Sequence, residues 1–142
     1  MSENEMIQMV IDMYPEIAFQ KLLDIKVEDA RPGQDHASVR LPFNKQLCGG
    51  GKAYHGGVIS SLIDLTGALA TWCGHDASRG MKASTVTLNV QFISAALGQD
   101  IVAHAVVKRR GKDLNFVDIV VETADEEKKL IATGSMVYRI AA

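Results

Sequence analysis

One stretch of the chain sets backbone amides and a carboxylate at a fixed spacing: Tyr54-His55-Gly56-Gly57-Val58-Ile59-Ser60-Ser61-Leu62-Ile63-Asp64. Adjacent glycines let a ligand approach the backbone closely. If they open a helix, the first amides there have no partner inside it. Together with the positive end of the helix dipole, such amides form a ready site for an anion or an oxyanion. Asp64 follows among Leu62, Ile63 and Leu65, where a charge costs heavily unless something compensates it and where Asp is a poor helix former. A desolvated carboxylate in that place is a candidate general base or nucleophile. The plain alternative is an Asp that faces a polar neighbour or solvent. Oxyanion donors plus an activating carboxylate are what hydrolysis of an acyl compound such as a thioester needs, and one such donor contributes about 3 kcal/mol to the rate.

Gly57 and Asp64 are seven residues apart, so on a helix they share a face at a separation of roughly 10.5 Å along the axis. One carbonyl group can hardly meet both within one chain. Two antiparallel helices across a dimer interface bring Gly57 of one copy toward Asp64 of the other, which predicts two shared sites per dimer.

The elements that must hold these groups read as follows. Ser2 and Glu5 form a capping box ahead of Ile7, Val10, Ile11 and Tyr14 at helical spacing. Pro15 suits the first turn of a second short helix through Ile17, Phe19 and Leu22, so residues 1–22 are a helical segment. Residues 25–30 and 36–41 alternate as strands around the Arg31-Pro32-Gly33 turn. Residues 42–54 form a long loop, of a kind that is uncommon and often functional. The one long helix, about 57–73, is apolar on nearly every side, which predicts burial on every side. Residues 85–93 alternate, with Val86, Leu88, Val90 and Phe92 on one face and Thr85, Thr87, Asn89 and Gln91 on the other. Strands at 101–108, 114–122 and 129–140 follow, separated by short turns that imply antiparallel pairing. One buried helix wrapped by five or six antiparallel strands is an α+β fold, and its open sheet edges predict pairing with a second copy.

Length and composition limit the function classes. The 142 residues suit one domain spanning 1–142. A net charge of −2 lacks the basic excess of a nucleic-acid binder. No run reaches the length of a membrane span and no basic-then-apolar leader opens the chain, so the expected setting is cytoplasmic. Cys48 and Cys73 stand outside any Cys-x-x-Cys pair and outside any metal-ligand cluster. They read as reduced thiols, and no metal or other cofactor is implied. His36, His75 and His104 have no motif around them, and Tyr54 and Trp72 read as packing residues.

His55-Gly56-Gly57 with Asp64 nine residues after the histidine resembles the signature of the PaaI-like hot-dog thioesterases. The likeness extends from about Ala18 onward, through the strand at 85–93, the Leu97-Gly98-Gln99-Asp100 turn and the hairpin at 108–116. The resemblance implies hydrolysis of acyl-CoA thioesters, with Asp64 as general base or nucleophile and the Gly57 amide as oxyanion donor. It further implies His55 and Gly56 beside the thioester, and Thr85, or failing it Ser84, positioning water. Coenzyme A would then enter only as part of the substrate, in a homodimer that pairs again into a dimer of dimers. The basic run Lys108-Arg109-Arg110-Gly111-Lys112 reads either as a solvated hairpin tip or as a grip on the phosphates of coenzyme A by Arg109, Arg110 and Lys112. The chain departs from the family pattern before the motif: Gly49 and Lys52 stand where family members carry Asn and Gly, and Asn44, eleven residues before His55, is the candidate for the substrate contact that the resemblance gives to the asparagine. Phe43, Leu47, Ile59 and Leu62 are candidates for the pocket lining. The alternatives are a non-catalytic acyl-CoA-binding protein or a hydratase-like protein on the same fold.

Overall fold

The helix that opens at the glycine pair is the element around which the others are laid. The computed structural model describes residues 1–142. The helices are α1 (Glu3–Met13), α2 (Ala18–Leu23) and α3 (Gly56–Cys73), and the strands are β1 (Lys26–Asp29), β2 (His36–Leu41), β3 (Lys82–Phe92), β4 (Ile101–Arg110), β5 (Leu114–Thr123) and β6 (Leu130–Ala141). The strands form one antiparallel sheet in the order β1-β2-β4-β5-β6-β3, which wraps α3 as the sequence predicts. Every second residue of the central strands faces the helix: Ala37, Val39 and Leu41; Ile101, Ala103, Ala105 and Val107; Val117, Ile119 and Val121. Leu62, Ile63 and Leu69 of α3 are fully buried against them.

By length and composition α3 would suit a membrane span, but 61% of that window is buried inside the fold. Its two buried threonines cost little, because Thr66 and Thr71 donate to the Leu62 and Gly67 carbonyls one turn back. Burial is not complete all round, however. From Leu65 to Cys73 every residue is buried, whereas Gly57 is exposed and Val58, Ser60, Ser61 and Asp64 are half-buried. The sheet covers one side of the entrance half of α3, and the other stays open except where the N-terminal segment stands beside Ser61 and Asp64.

The N-terminal segment differs in detail from the sequence reading. Ser2 Oγ accepts the Glu5 amide at 3.1 Å, but Glu5 makes no return bond, so half of the capping box is formed. Pro15 lies in a 3-10 turn, Tyr14–Glu16, and an extended Ile17 separates it from α2. Proline offers no amide to continue the α1 ladder, so α1 stops before it, and the chain becomes extended at Ile17 before α2 begins.

The long loop between β2 and α3 is pinned at its start. Asp100 accepts the Phe43 amide at 2.7 Å and both Nε and Nη2 of Arg40, at 2.9 and 2.7 Å. Partial burial pushes the Asp100 carboxyl up, but the Phe43 amide and the Arg40 guanidinium together outweigh that and hold it below its ordinary value of 3.8. A depressed carboxyl stabilises the fold above its unfolded value, and the contribution disappears as pH falls through the folded value. Asp100→Asn should therefore destabilise by about 1–2 kcal/mol at pH 7, with the difference disappearing only at a pH well below 3.8. Urea midpoints of the two proteins at both ends of that range check this; a difference that persisted at low pH would disprove the ionic account.

Candidate active site

Asp64 opens into a cavity of about 260 Å3 lined by Tyr14, Phe19, Gln20, Ser61, Leu65, Ala68, Ser84, Thr85 and Tyr138. The carboxylate is half-buried there, and Thr85 Oγ1 donates to its Oδ1 at 2.7 Å. Simple alternation cannot place Thr85 in that position, because it sets Thr85 on the face opposite Leu88 and Val90. A β-bulge resolves the conflict. Thr85 pairs with Tyr138 and Thr87 with Val137, leaving Val86 as the extra residue, and the strand before it turns over. Thr85 then shares a face with Leu88, whose partner Met136 is buried, and that face looks onto α3. Thr85 holds one carboxylate oxygen and leaves the other for chemistry in the cavity.

The helix entrance is less open than the sequence suggests. His55 is the N-cap of α3, and its Nδ1 accepts the Gly57 amide at 2.9 Å. The expected unobstructed Gly57 donor is thus occupied by the preceding histidine, whose other nitrogen carries the proton in the neutral ring. The Gly56 amide makes no hydrogen bond within the chain. Beside Gly56 lies a second hollow, of about 330 Å3, bounded by Tyr54, Ile59, Phe92, Ile93 and Ala96. Of the four residues expected to line a pocket, Ile59 does so there. Leu62 is fully buried in the core, and Phe43 and Leu47 pack against the core from the loop. Tyr54 is a packing residue, edge-on to Phe43, and its hydroxyl is buried without a partner.

Two expected substrate contacts have other engagements. Asn44 Oδ1 accepts the Gln46 amide and caps the 3-10 turn Lys45–Leu47, outside the Asp64 cavity. Arg110 donates to Asp35 and to the Thr71 and Ala70 carbonyls at the end of α3, the place where a cation complements the helix dipole. A second bulge aims it there: Val107 pairs with Val117 and Arg109 with Phe116, so Lys108 is extra and Arg110, opposite the buried Asn115, turns inward. Gly74 makes room for it, since a Cβ at that position would stand 2.5 Å from Arg110 Nη2. Arg109 and Lys112 remain exposed.

The N-terminal wall of the Asp64 cavity escaped the sequence reading altogether. Tyr14 Oη donates to the Leu65 carbonyl at 2.6 Å and so fastens the turn after α1 to α3. Burial first, then the nearby Tyr138 and Asp64, raises the Tyr14 hydroxyl well above its ordinary value. Tyr14 sits in the apolar stripe of α1, but nothing in its spacing says that it meets Leu65, 51 residues on.

Another grouping that spacing cannot reveal lies on the outer face of the sheet. Ser38 Oγ is 2.7 Å from His104 Nδ1, and His104 Nε2 is 3.0 Å from Glu122. Glu122 fixes the tautomer in which Nδ1 accepts from Ser38. The three residues lie in the β2-β4-β5 ladders, whose amides are paired, so no oxyanion donor stands beside the serine.

Comparison with known proteins places this site in a family. Residues 51–129 match the family described as the thioesterase superfamily. An esterase, provisionally so named, from Halobacterium salinarum is 31% identical over 142 residues, covering 95% of this chain and 90% of that one. Human acyl-coenzyme A thioesterase 13 is 37% identical over 81 residues, covering 56% of this chain and 55% of that protein. Among solved structures, the PaaI protein of the E. coli phenylacetic acid degradation operon superposes with a TM-score of 0.81 at 23% identity, covering 99% of this chain and 97% of that one. The chain belongs to the thioesterase superfamily, and its fold is the hot-dog fold.

Proposed function

We propose that this protein hydrolyses acyl-CoA thioesters, in sites shared between two copies of the chain. The observation that carries the reading is the Asp64 carboxylate, held by Thr85 at the mouth of a cavity and seven residues from a glycine-lined helix entrance. Asp64 acts as general base, or as nucleophile. In the first route water adds to the thioester carbon, its proton passes to Asp64, and the oxyanion rests on the Gly57 amide. The C–S bond then breaks, and the thiolate of coenzyme A leaves with the proton that Asp64 held. The arriving carbonyl oxygen takes the place of the His55 ring on the Gly57 amide, while Gly56 and His55 flank the thioester. Arg109 and Lys112 are the free cations for the phosphates of coenzyme A.

The open side of the fold supports a homodimer. β3 ends the sheet with one edge unpaired, and Val86 and Phe92 on it are 50% and 55% exposed. Antiparallel pairing of β3 with its own copy covers that edge. It also brings the hollow beside Gly56 toward the partner's Asp64 cavity, and two such dimers make the tetramer. Two free thiols, one of them buried, fit a reducing, cytoplasmic setting.

The test is thiol release from a panel of acyl-CoA thioesters, from short to long and aromatic, alongside the same acyl groups on carrier protein. Release from some of the coenzyme A esters is expected. Release from carrier-protein esters alone would replace the substrate class, and release from none would leave the non-catalytic or hydratase-like reading.

A further inference from the structure

Gln20 is a polar residue in a place where polar residues need a reason. It lies on α2 with 8% of its surface exposed, and it lines the same cavity as Asp64. Three other polar groups of that wall have partners: Tyr14 gives its proton to the Leu65 carbonyl, Ser61 to the Gly57 carbonyl and Thr85 to Asp64, whereas the Ser84 hydroxyl, like Gln20, has none within the chain. The Gln20 amide forms no hydrogen bond to any group of the chain, and its atoms are open to water although the residue as a whole is buried. Water in the cavity that Gln20 lines is the partner at hand, and at liquid density the cavity holds on the order of nine waters.

We infer that Gln20 positions the hydrolytic water beside Asp64, an inference that rests on the thioesterase reading. A water held by a single acceptor can rotate and point a proton at the thioester carbon. A water that donates one proton to the free oxygen of Asp64 and the other to Gln20 Oε1 must turn a lone pair outward. As the new O–C bond forms, the proton on the Asp64 side transfers to the carboxylate; it later leaves with the thiolate as the C–S bond breaks. Gln20 neither gains nor loses a proton. A neutral amide suits the task better than a second carboxylate, whose charge would oppose both the ionised Asp64 and the developing oxyanion. The N-terminal helical segment thereby becomes part of the catalytic apparatus.

The experiment compares wild type, Gln20→Met and Gln20→Glu in hydrolysis of the best acyl-CoA ester and in binding of a non-hydrolysable thioether analogue. For Gln20→Met, close in size but without the acceptor, kcat should fall at least about tenfold with KM and analogue affinity unchanged. Gln20→Glu, which keeps an acceptor oxygen, should lie between it and wild type. A Gln20→Met enzyme within twofold of wild type in kcat overturns the proposal. So does a loss that appears equally in KM and analogue affinity, since that marks a wall residue only. Failure of the thioesterase reading shows separately, as a wild-type chain that releases no thiol, and removes this inference with it.

Discussion

Asp64→Ala should lower kcat for thiol release from the preferred acyl-CoA a hundredfold or more, leaving the fold intact. General-base assistance contributes about 10²–10⁴ to a rate, and no other carboxylate lines the cavity. The fold should tolerate the change because Asp64 is half-buried and its one hydrogen bond within the chain comes from Thr85, an exposed residue of an edge strand. A hydrogen bond to a charged group contributes about 1.5–3 kcal/mol, less where the donor is exposed, and removing an incompletely compensated charge among Leu62, Ile63 and Leu65 offsets part of it. Steady-state kinetics with a parallel thermal melt separate the two effects. A variant that kept a tenth or more of the wild-type rate would show that the carboxylate is not the catalytic group.

Mixing two dead chains should restore activity. An Asp64→Ala chain keeps its glycine entrance. A Gly57→Val chain keeps its carboxylate but loses access to its own entrance amide, since even a bare Cβ there would stand 3.1 Å from His55 Nδ1. In a heterodimer of the two, one site combines the sound entrance with the sound carboxylate and the other combines both defects. Random reassembly therefore regains about a quarter of the wild-type activity per site, as expected for a two-fold interface that each chain enters with both surfaces. Denaturing the variants together and refolding them, with each refolded alone as control, gives the measurement. Sites confined to one chain would regain nothing, and the separation of roughly 10.5 Å along one helix would then have to be bridged in some other way.

The sequence was most informative where a pattern is local. The apolar run of α3, the glycine pair at its start and the turns between strands each announce themselves within a few residues, and from them the order of elements and the wrapped-helix architecture follow. Alternation failed at two single residues. Val86 and Lys108 are bulges, and a bulge is a property of two paired strands. A sequence read one strand at a time cannot show it. Each reverses a side chain that matters: Thr85 comes round to Asp64, and Arg110 goes to the end of α3 instead of remaining beside Arg109 on the hairpin. The histidine cap on Gly57 is a local feature, since an N-cap acceptor stands directly before the helix, but glycines at a helix start by themselves point only to open amides. The cavity wall from Tyr14 to Gln20 was out of reach, because it depends on how a separate helical segment packs across α3.

The open edge of β3 has a consequence for how such a protein behaves on dilution. If the sites are shared as proposed, a chain alone would have neither its full stability nor its catalytic power, and both would return by mass action as copies meet. Its specific activity would then depend on its own concentration, so that a cell making little of it would hold dormant halves, and one making more would switch on hydrolysis faster than the amount of protein rises.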